Sequence, residues 1–177
     1  MADNLFLGPE AEVNHGLGLL RAATFEKAVA PRVELVPGAF LSVDAEAAVS
    51  GMLTSVPGSL LSLRLAPNGP TRWISLHLRL GAADFRQVQM IGAVCKAQSP
   101  RATTFRMTLR SGVGAGFVDT LFRKTVVAYA EPSVHMDALD LTREPGIPRE
   151  APWREVILMF ELAPIDINLL NFGIFSI

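Results

Sequence analysis

Cysteine is all but missing from this sequence: Cys95 stands alone in 177 residues. No internal disulfide can form, and a thiolate-rich zinc site is excluded. Aromatic residues are scarce at 7 %, with two tryptophans and one tyrosine. Neither sign of charge is in excess, since 16 Lys and Arg face 17 Asp and Glu for a net charge of -1. A nucleic-acid partner, whose affinity would rest on a basic footprint, is therefore not expected. Long unbroken apolar runs are absent too. The stretch from Met1 to Pro9 has neither a basic region nor a continuous apolar one, and Asp3, Glu10 and Glu12 stand where a signal peptide would be positive or apolar. The apolar stretch 156–177 is broken by Glu161, Pro164, Asp166, Asn168 and Asn171, which reads as strands and not as a spanning helix. The expectation is no membrane contact, with residence in the cytoplasm or export by a non-standard route.

Catalytic motifs are missing as well. There is no G-x-S-x-G, no H-E-x-x-H and no Walker loop; Gly112-Val-Gly-Ala-Gly116 lacks the Lys and Ser/Thr that would follow, and reads as a strand connection. His15, His77 and His135 are spaced about 60 residues apart, so no His-x-His metal pair exists. Cys95, within MIGAVCKA, reads as an inert core residue. Glu155 and Glu161 share a strand face but lie about 20 Å apart along it, too far for a glycosidase pair. No residue pair reads as nucleophile and base. A non-catalytic chain without a cofactor is expected, with a structural calcium ion left open.

What the chain does have is apolar content, at 50 %, enough to build a core and to exclude disorder. That content is patterned with a period of two. In Arg72 to Leu80 (RWISLHLRL), Ile74, Leu76, Leu78 and Leu80 fall on one side, with Trp73, Ser75, His77 and Arg79 on the other. Leu61, Leu63 and Leu65 alternate with Ser62 and Arg64, and Asn68-Gly69 between the two runs predicts a hairpin. Phe105, Met107 and Leu109 alternate with Arg106, Thr108 and Arg110; Val156, Leu158 and Phe160 alternate with Ile157 and Met159. Val134 and Met136 alternate with His135 and Asp137. Further strands are expected at 32–36, 39–43, 85–97, 121–130 and 166–176, and short helical turns at 44–49 and within 13–30. About ten strands and one or two helical turns predict an all-β, antiparallel two-sheet sandwich or jelly roll. Residues 1–177 are expected to form one domain, with 1–30 as a peripheral segment. The Pro-rich stretch 143–152 reads as a crossover between sheets, because too little chain follows it to make a second core.

The polar sides of these strands hold the candidate ligand-binding residues. Trp73, His77 and Arg79 come from one strand, Arg106 and Arg110 from another, and Gln87 and Gln89 from a third. A tryptophan can stack on the apolar face of a sugar ring while the forked donors of arginine hold its hydroxyls. Arginines two to four residues apart on a strand span about 7–14 Å, one to two sugar rings, and unpaired arginines at that spacing would suit an acidic sugar. The runs RWISLHLRL, TTFRMTLR and WREVILMFELAPIDI resemble the strands of galactose-binding-like β-sandwich carbohydrate-binding modules. That resemblance implies a non-catalytic module that binds a saccharide or similar polar ligand. Two other readings stay open: a structural jelly-roll subunit of a virion or surface appendage, and a hydrolase on the same scaffold. Ile157 and Met159, pointing outward, would suit contact with other subunits, and a homo-oligomer is left open.

Overall fold

A computed structural model describes residues 8–177. One helix, α1 (Ala11–Ala22), precedes twelve strands: β1 (Phe25–Ala28), β2 (Arg32–Val36), β3 (Ala39–Val43), β4 (Val49–Ser55), β5 (Leu61–Pro67), β6 (Ile74–Gly81), β7 (Met90–Gln98), β8 (Thr103–Val113), β9 (Gly116–Ala128), β10 (Ser133–Asp140), β11 (Arg154–Phe160) and β12 (Ile165–Ser176). They form two antiparallel sheets of six strands, in the orders β1-β4-β5-β12-β7-β10 and β2-β3-β6-β11-β8-β9. The alternation read in the sequence decides which side chains lie between them. Leu76, Leu78, Phe105, Met107, Leu158 and Phe160 from the second sheet meet Leu61, Leu63, Ile91, Ala93 and Ile167 from the first in one core. The fold is an all-β sandwich.

Several local expectations need correction. β5 and β6 do not pair as a hairpin: β5 lies between β4 and β12 in the first sheet, β6 between β3 and β11 in the second. Alternation fixes a strand's faces but not its partner, and the connecting loop is anchored elsewhere. The Asp44 carboxylate accepts the Arg72 backbone N–H at 3.0 Å and its guanidinium at 2.7 Å, tying residue 72 beside β3. Residues 44–47 form a turn around that same carboxylate, not a helix, with Asp44 Oδ1 accepting the Glu46 N–H. β7 starts at Met90 and not at residue 85, because Phe85 is fully buried in a loop preceding the strand. In β10, Val134 and Met136 face outward while Asp137 is buried, accepting backbone N–H groups from Lys124 and Ala138.

The stretch 143–152 does cross between the sheets, from β10 to β11. Within the segment 1–30, residues 1–7 lie outside the described residues, and α1 buries Val13, Leu17 and Leu20 in the core. Among the described residues no helix is long and apolar enough to cross a membrane.

Candidate functional site

The second sheet turns its polar side outward, and strand order decides which residues meet there. β11 lies between β6 and β8, so Met159 faces both Ser75 and Arg106, Ile157 faces His77 and Thr108, and Glu155 faces Arg79 and Arg110. β3 extends these rows with Ser42 opposite Ser75 and Phe40 opposite His77. β9 extends them with Leu121 opposite Thr108 and Asp119 opposite Arg110. Trp73, His77, Arg79, Arg106 and Arg110 thus share one face. Gln87 and Gln89 do not. They occupy the loop before β7, which belongs to the other sheet, and the Gln89 N–H is given to Ile177 O.

Two depressions lie side by side on this face. One, of about 500 Å³, is lined by Trp73, Ser75, His77, Arg110, Ile157 and Met159 among others. Its neighbour, of about 530 Å³, is lined by Phe40, Arg79, Trp153, Arg154 and Glu155 with residues of β2. The floor is well packed: Ile157 is 1 % exposed although it points away from the core. Ile157 therefore forms part of the floor and is not an exposed apolar contact.

Polar groups on the face hold one another in place. His77 Nδ1 lies 2.8 Å from Glu155 Oε2, and His77 Nε2 lies 3.0 Å from Ser75 Oγ. The imidazole stacks on Phe40 with ring centroids 4.5 Å apart, and the Arg32 guanidinium covers the other ring at 3.5 Å. Arg110 donates Nε and Nη2 to Asp119, both at 2.7 Å, and this bidentate bond raises its pKa further. Arg79 meets Glu12 of α1 at 3.3 Å, and Trp73 Nε1 donates to Ser42 Oγ at 3.2 Å. The unpaired arginine cluster expected from the sequence is thus not found. Of the three arginines expected there, Arg79 and Arg110 are neutralised by acids from α1 and β9, and Arg106 alone of the three has no ion pair among the described residues.

Solved structures share this arrangement of sheets. A family 30 carbohydrate-binding module of the cellulosomal cellulase Cel9D-Cel44B of Clostridium thermocellum superposes with a TM-score of 0.52 at 14 % identity, over 86 % of this chain and 91 % of that one. A CBM4 structure gives 0.54 at 13 % identity, over 78 % and 87 %. The CBM22-1 xylan-binding domain from Paenibacillus barcinonensis Xyn10C gives 0.51 at 11 %, over 77 % and 85 %. In fold, this chain resembles the carbohydrate-binding modules. No family model matches it, and no curated protein does. The likeness to carbohydrate-binding modules is therefore one of fold.

Sequence reasoning missed Phe40, Asp119 and Trp153 as members of the face, and it placed Ser75 there without assigning it a ligand-binding role. Parity marked Ser75 as outward, but nothing local tied it to His77 and Glu155, because β11 is contributed 78 residues later. Trp153 carries a signal in Gly112: the indole lies on that glycine, and a Cβ there would sit 2.5 Å from Nε1. Among the described residues no group of three or more His, Cys, Asp or Glu side chains is placed to hold a metal ion.

Proposed function

We propose that the outer face of the second sheet binds a saccharide, with the chain lying across both depressions. The observation that carries this reading is that each depression has its own tryptophan, Trp73 in one and Trp153 in the other, beside polar side chains already locked by mutual bonds. An indole offers a flat apolar surface to a sugar ring, and preorganised donors and acceptors hold its hydroxyls at low entropic cost. Because Arg79 and Arg110 already have carboxylate partners, the face favours a neutral saccharide over an acidic one. The neighbours in fold include a protein described as xylan-binding, which supports testing plant-wall polysaccharides first.

Calorimetric titration of neutral and acidic oligosaccharides against wild type, Trp73→Ala and Trp153→Ala tests this. Each variant is expected to bind at least about tenfold more weakly, a loss of ~1.4 kcal/mol. Equal affinity in all three proteins would rule out the face.

A second reading rests on the opposite side of the sandwich. Val134 and Met136 of β10 are 65 % and 58 % exposed, with Val94 of β7 beside Met136. An apolar edge of this kind suits a subunit contact. A monomer in size-exclusion chromatography at high concentration would remove this reading.

A further inference from the structure

The Ser75, His77 and Glu155 side chains form a connected chain with a definite direction. A carboxylate accepts hydrogen bonds and cannot donate, so the 2.8 Å contact requires the proton on His77 Nδ1. The neutral imidazole then has its lone pair on Nε2, and the 3.0 Å contact to Ser75 Oγ must use the serine hydroxyl as donor. The Ser42 carbonyl is a longer alternative acceptor for that hydroxyl, at 3.3 Å. Stacking on Phe40 fixes the ring plane. Ser75 and His77 are two apart on β6 and so share its outer face, while β11 brings Glu155 alongside. Ser75 and His77 both line the depression of about 500 Å³ that also holds Arg110.

We propose that Ser75, His77 and Glu155 act as nucleophile, base and orienting carboxylate in the hydrolysis of a short acyl ester. The proposal goes beyond binding and departs from the non-catalytic expectation. It rests on the saccharide reading only in naming an acylated sugar as the natural ester. In the first step Ser75 Oγ attacks the ester carbonyl carbon as its proton passes to His77 Nε2. The tetrahedral intermediate collapses with cleavage of the ester C–O bond, and the departing alkoxide takes the proton from Nε2. Water then attacks the acyl-serine, giving its proton to Nε2. The carboxylic acid leaves and Ser75 Oγ recovers the proton. Ester and water become acid and alcohol, with no further reactant.

Turnover of p-nitrophenyl acetate and labelling by a fluorophosphonate, located by peptide mass mapping, test this in the intact chain. A single adduct on Ser75 is expected, with kcat falling by about 10³-fold in Ser75→Ala. Glu155 acts through His77, so Glu155→Gln should lower kcat and alter its pH profile with KM unchanged, and Glu155→Asp should restore part of the loss. Absence of the Ser75 adduct in wild type, or equal turnover in Ser75→Ala, overturns the proposal. Labelling needs no variant, so a folding defect in Ser75→Ala cannot mask the result. Oligosaccharide titration of the wild-type chain separates the two ideas, because binding with neither ester turnover nor a Ser75 adduct leaves the saccharide reading standing and sinks this one.

Discussion

Among the described residues Arg154 is the largest fully buried side chain, and no carboxylate of theirs bonds to it. Its guanidinium donates to Ala83 O, Pro148 O and Ser111 Oγ, and sits 3.9 Å over the Phe85 ring. Burial disfavours the charge and lowers its pKa to about 10, against the opposing pull of Asp84. One side chain thus ties the loop after β6, the crossover before β11 and strand β8 together beneath Trp153. Gly112 performs a matching service by leaving room for the indole. Gly112→Val is expected to displace Trp153, shift the tryptophan fluorescence and weaken oligosaccharide binding about as much as Trp153→Ala. An unchanged emission spectrum and affinity would show that the indole has somewhere else to go.

At the scale of elements, α1 does the work of a missing strand. β12 pairs with β5 up to Leu169, then continues alongside β7 alone to Ser176. The side that β5 abandons is met by Asn14, whose Nδ2 donates to Ile174 O at 2.7 Å and whose Oδ1 accepts the Ile174 N–H at 3.0 Å. A primary amide matches a peptide unit in donor and acceptor, so the strand edge is satisfied without another strand. Asn14→Leu keeps the size but removes both bonds. It should cost about 1–3 kcal/mol in urea unfolding, because two backbone groups lose their partners. Hydrogen exchange at the Ile174 amide should quicken in the same variant. A loss below about 0.5 kcal/mol would mean water replaces the amide without penalty.

For the whole molecule, stability should fall at both ends of the pH range, for different reasons. The Cys95 thiol is pushed up to about 12 from 9.0 by burial. The unfolded thiol ionises near its ordinary value while the native one stays protonated, so this contribution is complete below about pH 9 and drains away as pH rises toward 12. Asp44 behaves in the opposite sense. Its hydrogen bonds from Arg72 hold the carboxyl far below the usual 3.8, so its contribution is present above that pH and is lost as pH falls further. Chemical unfolding from pH 2 to 11 should therefore show Cys95→Ala flattening the alkaline limb and Asp44→Asn flattening the acid limb. A Cys95→Ala protein with the wild-type alkaline slope would assign that limb to other groups.

How much of this was legible beforehand follows from the range of each interaction. The runs RWISLHLRL and TTFRMTLR carry their own inside and outside, because successive side chains of a strand point to opposite faces whatever the partner. The sequence by itself therefore determined the sandwich, its core of Leu78, Phe105 and Leu158, and the common parity of His77, Arg79, Arg106 and Arg110. Partners are another matter. Whether β5 turns back on β6 or crosses to the other sheet depends on contacts made by Asp44, β3 and β12, none of which shows in the local pattern. Only the tertiary structure decided that β11 lies between β6 and β8, setting Glu155 against His77, and that Glu12 and Asp119 neutralise arginines distant in the chain. Periodicity is a property of neighbouring residues, whereas strand pairing is chosen by the energy of the whole packed core.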